Sequence, residues 1–159
     1  MKKYLFTFVG IILLFIIGCA DSSDNQSSKS TDGASTPFET VNNFAGVTMT
    51  SKEGSITSTQ ITLIFENNTD KQGIYGDEFF LEQEIDGHWY EVPTVIEEYG
   101  FNDIGYELNP GVTEEMTTEW EWLYGKLDAG AYRIIKSVSD YRMPGDFDKY
   151  YLAATFTID

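Results

Sequence analysis

The chain has 159 residues, enough for one domain once targeting and linker segments are set aside. Its formal charge is −16, and a surface that acidic repels nucleic acid, so no nucleic-acid partner is expected. The single cysteine, Cys19, leaves the predicted domain with no disulfide and no thiol chemistry.

The amino end reads Met-Lys-Lys, then an apolar run from Tyr4 to Ile17, then Gly18-Cys19. The run fits the apolar core of a signal peptide and is short for a spanning helix, which needs ~20 residues. Ile16-Ile17-Gly18-Cys19 resembles the lipobox of bacterial lipoproteins: a branched apolar residue, a tolerant position, a small residue and cysteine. Small Gly18 lets a peptidase reach the scissile bond, and the Cys19 thiol accepts the lipid. The resemblance implies a signal peptide over 1–18 and a lipid anchor on Cys19 that holds the protein to the outer side of the cell membrane. Loss of Lys2 and Lys3 with that peptide leaves 8 basic against 26 acidic side chains, a net −18.

From Ala20 to about Asn43 the chain is almost all Ser, Asp, Thr, Asn and Gly. Such a segment cannot bury enough apolar surface to offset ordering, so 19–43 reads as a lipidated cysteine followed by a disordered tether. Its 24 residues after Cys19 would reach ~25–30 Å. Phe38 and Val41, near its end, are the residues that could begin to dock on the folded domain.

From Phe44 to Asp159 the pattern changes to alternation of period two. Ile61, Leu63 and Phe65 form one apolar face; Phe79, Leu81 and Ile85 a second; Met116, Trp120 and Trp122 a third; and Leu152, Ala154, Phe156 and Ile158 a fourth. Turn chemistry separates them at Asn67-Asn68-Thr69-Asp70, Asp86-Gly87, Asn109-Pro110-Gly111, Asp128-Ala129-Gly130 and Pro144-Gly145-Asp146. With no helical stripe, residues 44–159 are predicted to form an all-β, antiparallel, immunoglobulin-like sandwich of about seven strands. Leu127-x-x-Gly130-x-Tyr132 has the form of a tyrosine corner, in which a phenol bonds back to nearby backbone.

The stretches Ile61–Asp70, Glu78–Pro93, Glu107–Gly111, Trp120–Lys136 and Tyr150–Phe156 together resemble a bacterial Ig-like domain of lipoproteins and secreted proteins in low-GC Gram-positive bacteria. The resemblance implies a fold and carries over no catalytic or binding residue.

Reactive groups are sparse. The one histidine, His88, follows the Asp86-Gly87 turn, where it would pair with Ile85 on the core side of a hairpin. No serine stands in a nucleophile elbow and no glycine loop cradles phosphate. Adjacent carboxylates such as Glu97-Glu98 and Glu114-Glu115 arise freely among so many acids, so no enzyme activity is expected. Asp140, Asp146 and Asp148 near the last turn, and Asp77-Glu78, are hard oxygen ligands but lack the spacing of a calcium loop. Neither metal nor cofactor is therefore expected, and Lys126, Arg133 and Lys136 read as solubility charges at strand edges.

The hairpin register leaves Trp89 with two placements. Opposite Glu84 it would sit on the outer, acidic face; one residue of slip would bury it, and a core tryptophan is the reading that suits this fold. An exposed Trp89 with Phe80 would form a contact patch, to which the long segment Thr94–Asn109 could add Tyr99, Phe101 and Tyr106. The function expected is a lipid-anchored binding module without enzyme activity, engaging the membrane through acylated Cys19 and an envelope or secreted protein partner. The alternative is an inhibitor of extracytoplasmic proteases that uses the Thr94–Asn109 loop. Cells fed labelled palmitate should label the wild-type chain, and Cys19→Ala should abolish the label; an Ala variant that still labels would remove the anchor assignment.

Overall fold

Left-handed turns set where the chain reverses. Asp86 and Gly87 both have positive φ, 51° and 78°, the pair that a two-residue hairpin turn matching the strand twist requires. The computed structural model describes residues 33–159, and the expected signal peptide, Cys19 and the first part of the tether lie outside the described residues. The strands are β1 (Val47–Ser51), β2 (Gln60–Asn67), β3 (Gly73–Gly76), β4 (Phe80–Ile85), β5 (His88–Glu91), β6 (Gly105–Leu108), β7 (Thr113–Glu119), β8 (Gly130–Met143) and β9 (Asp146–Ile158). One helical turn, α1 (Glu121–Tyr124), follows β7. Among the described residues no helix is long and apolar enough to cross a membrane.

All pairings are antiparallel and the strands form two sheets of a sandwich. The smaller has the order β1-β2-β7; the larger is built on β8. β9 lines one side of β8 from Gly130 to Met143, so β4 and β3 must share the other side end to end, at Tyr132–Ile135 and Val138–Asp140. β5 then extends β4, and β6 extends β3. Between the sheets lie Ile61, Leu63, Phe65, Leu81, Leu108, Ile134, Val138 and Leu152, all but fully buried. Tyr132 O–H donates to the Asp128 carbonyl oxygen at 3.0 Å, closing the tyrosine corner ahead of β8.

Several details depart from the alternation. The third apolar face stops at Trp120, because α1 changes the period from 2 to 3.6 and turns Leu123 and Tyr124 inward. Trp120 is the core tryptophan: it stacks on Phe156 at 5.5 Å and donates Nε1–H to the Ser58 carbonyl oxygen at 2.9 Å. The hairpin register is Ile85 opposite His88 and Glu84 opposite Trp89. Trp89 is thus on the outer face and half-buried rather than core, and His88 is exposed.

The ordered domain starts before residue 44. Ser35 bridges to Tyr90, Thr36 N–H donates to the Trp89 carbonyl oxygen at 3.1 Å, and Glu91 N–H donates to that of Ala34 at 2.8 Å. Residues 33–38 therefore cover the outer edge of β5, with Gly33 so close to the Glu91 carbonyl that a Cβ would overlap it. Phe38 meets the rings of Phe80 and Tyr151, both at 5.1 Å. Composition could not show this, because the strap is held mainly by its backbone and one ring. It also buries an ion pair: Arg133 Nε donates to Glu82 Oε2 at 2.6 Å and its Nη2 to Thr36 Oγ1 at 3.1 Å, with the Trp89 ring 4.5 Å from the guanidinium.

Arg133 and Lys136 are buried, not solubility charges at an edge, because β8 is the central strand with cover on both faces. Lys136 is 0% exposed, and its Nζ donates to the carbonyl oxygens of Asp77 (3.3 Å) and Glu78 (3.1 Å). Burial pushes its pKa down to about 8, against the raising effect of the Asp77 and Glu78 carboxylates. Between pH 8 and ~10.4 the unfolded chain keeps this proton and the folded chain does not, so the group adds stability as pH rises through that window. The wild type should gain stability relative to Lys136→Met from pH 7 to pH 10, by up to ~3 kcal/mol in denaturant titrations; parallel pH profiles would show that the ammonium is not desolvated.

Candidate functional site

Two bonds seat the segment after β5. Val92 N–H donates to the Leu81 carbonyl oxygen and Val95 N–H to that of Leu123, at 2.9 and 2.8 Å. The next stretch of loop carries Tyr99 and Phe101 against α1. Tyr99, Phe101 and Trp122 form a mutually edge-on triangle, with ring centroids 5.8 to 6.4 Å apart. Edge-to-face contact is the favoured geometry for such rings. Phe101 connects the triangle to the core through Phe79 at 5.3 Å. Phe79 in turn meets Tyr124 at 5.9 Å, whose hydroxyl is pushed up to about 12 by burial. Tyr99 and Trp122 each remain 45% exposed. Trp122 Nε1–H is satisfied by the Glu119 carbonyl oxygen at 3.1 Å, which fixes the ring while leaving it open to solvent.

Beside the triangle a cleft of about 250 Å³ opens between the β7 side of the sandwich and residues 100–102. Phe79, Phe101, Met116 and Trp122 supply its apolar wall, while Asp77, Asn102, Thr118 and Glu119 supply polar groups. Asp77 is set by two neutral donors: Tyr106 O–H to Oδ1 at 2.9 Å and Asn102 Nδ2 to Oδ2 at 3.0 Å. Donation to Asp77, with a smaller effect of burial, raises the Tyr106 pKa and keeps its proton in place.

Of the sequence-derived patch, the structure brings together Tyr99 and Phe101, with Tyr106 linked through Asp77. Phe80 borders clefts shared with Tyr99 and Phe101 while lying under Phe38, and Trp89 is set apart, stacked on Arg133. Trp122 was missed because alternation assigned it to the core. Its signal in the sequence is the pair Trp120-x-Trp122 followed directly by Leu123-Tyr124, four large residues that a single strand face cannot hold.

The acidic turn residues have partners of their own. Asp140 accepts from Lys71 at 2.6 Å and lies 3.4 Å from Arg142, which also holds Asp146 at 2.7 Å and Asp148 at 3.0 Å. Asp146 is held below the usual carboxylate range by its hydrogen bond from Arg142. His88 Nδ1 lies 3.0 Å from the Asp86 carbonyl oxygen of its own turn.

The two tryptophans around α1 should behave oppositely on truncation. Trp120→Ala should cost ~3–5 kcal/mol in chemical denaturation and Trp122→Ala ~1 kcal/mol or less; equal losses would mean that Trp122 is a packing residue.

No curated protein matches the chain. A family model described as a bacterial Ig-like domain matches residues 43–157, the span that contains β1 to β8, β9 up to its last residue and nearly all of the core. On the strength of that match and of the two-sheet architecture, the chain belongs to the bacterial Ig-like domain family.

Proposed function

We propose that the protein is a non-enzymatic interaction module, held outside the cell membrane by a lipid on Cys19, that contacts an envelope or secreted protein through Tyr99, Phe101 and Trp122. The observation that carries this reading is the open aromatic triangle on a rigid scaffold. Anchors that need not be ordered on binding lose little freedom, and large rings in desolvated contacts supply most of the energy of protein interfaces. Family membership and the lipobox support the address, and the two act together: a displayed binding domain needs both a membrane tether and a stable scaffold. The surplus of acids adds long-range attraction for basic surfaces and repulsion for nucleic acid.

Photo-crosslinking in cells tests the surface. A photoreactive residue placed at Tyr99 in the full-length chain should give adducts with an envelope or secreted protein, and the same residue at His88 should not. Adducts no more frequent at Tyr99 than at His88 would rule out the triangle as the contact surface.

A further inference from the structure

The Asp77 carboxylate is oriented and unspent. Each of its oxygens accepts one hydrogen bond from a neutral donor, Tyr106 O–H or Asn102 Nδ2, so each keeps lone-pair capacity. Among the described residues it has no side-chain ion pair: Lys136, the cation beside it, directs its Nζ at the carbonyl oxygens of Asp77 and Glu78.

We infer that this cleft is a receptor for one arginine side chain of a partner protein, an assignment that deepens the proposed function and rests on it. Three features select a guanidinium. The first is charge: Asp77 and Glu119 both line the cleft, and no lysine or arginine is among its lining residues. The second is the aromatic wall of Phe79, Phe101 and Trp122, which suits a flat organic cation and offers nothing to a hydrated metal ion. The third is the donor count. A guanidinium brings five N–H groups in a planar fork, enough to bridge both Asp77 oxygens. The volume agrees: about 250 Å³ lies below the ~300–1,000 Å³ of sites that enclose a whole small molecule, and suits the end of one side chain. The triangle then forms the rim that shields the ion pair from water.

The test uses the full-length chain in detergent micelles with its tryptophans replaced by fluorotryptophan, so that Trp89, Trp120 and Trp122 give separate fluorine NMR signals. The probes are N-acetylarginine amide and its neutral counterpart N-acetylcitrulline amide. The arginine probe should shift the Trp122 signal saturably and leave that of Trp120 in place. Citrulline should bind about tenfold more weakly, as should arginine to Asp77→Asn. The Trp120 signal reports folding in each variant; if Asp77→Asn moves it, Glu119→Gln takes its place, with a loss of about threefold expected. Equal binding of the two probes, no movement of Trp122, or arginine binding unchanged in the acid-to-amide variants would overturn the assignment. Failure of the arginine probe alongside Tyr99 crosslinks in cells would remove the guanidinium receptor and leave the contact surface standing.

Discussion

An ammonium group pairs with backbone where no strand does. β8 carries β3 and β4 end to end on one side, and between them the chain crosses Asp77, Glu78 and Phe79 without a ladder partner. The Lys136 ammonium takes up the Asp77 and Glu78 carbonyls at that gap. Leaving two buried carbonyls unpaired would cost ~1–3 kcal/mol each, comparable to the cost of desolvating the lysine, so the exchange is near balance. Its structural consequence is larger than its energy. The same three residues supply the Asp77 carboxylate and the Phe79 ring to the cleft, so the lysine positions the floor of the candidate site from within the core.

Two aromatic systems bear on the candidate site, and buried Phe79 ties the outer one to the core. Inside, Trp120, Phe156 and Tyr132 stack between the sheets, and Phe65 stacks on Tyr75. Outside, Tyr99, Phe101 and Trp122 hold one another edge-on. Because Phe101 touches the core through Phe79, the outer triangle takes its rigidity from the inner packing rather than from loop conformation. A loop is where binding residues usually lie, and a rigid scaffold is what makes them selective.

Charge is used in two ways. Buried Glu82 and Arg133 are sealed under the residue 33–38 strap and Trp89, where removal of either partner would strand the other. At the β8–β9 turn, Arg142 gathers buried Asp140 with exposed Asp146 and Asp148, and the two exposed pairs relieve local repulsion without adding much stability. Asp77 belongs to neither group: its oxygens accept only from the neutral donors Tyr106 and Asn102.

Much of the fold was legible along the chain. Alternation identified the inward faces of β2, β4 and β9; Asp86-Gly87 marked the hairpin turn, though the favoured core placement of Trp89 required a register the hairpin does not adopt; Leu127 to Tyr132 predicted the corner that Tyr132 and Asp128 make. These features depend on contacts between residues close in sequence, or on the side of its own strand that a residue faces. Half of the candidate site was readable too, since Tyr99 and Phe101 stand out in a long polar loop, while Trp122 was hidden by one helical turn that alternation does not foresee. The tertiary structure alone decided that Trp89 lies outside the core, that Arg133 and Lys136 are interior, and that residues 33–38 belong to the domain. Each depends on what covers a strand's second face, and that cover comes from far along the chain: Thr36 reaches Arg133, and Asp77 reaches Lys136. Periodicity reports which side of a strand a residue faces; only the assembled sheets determine whether that side meets water.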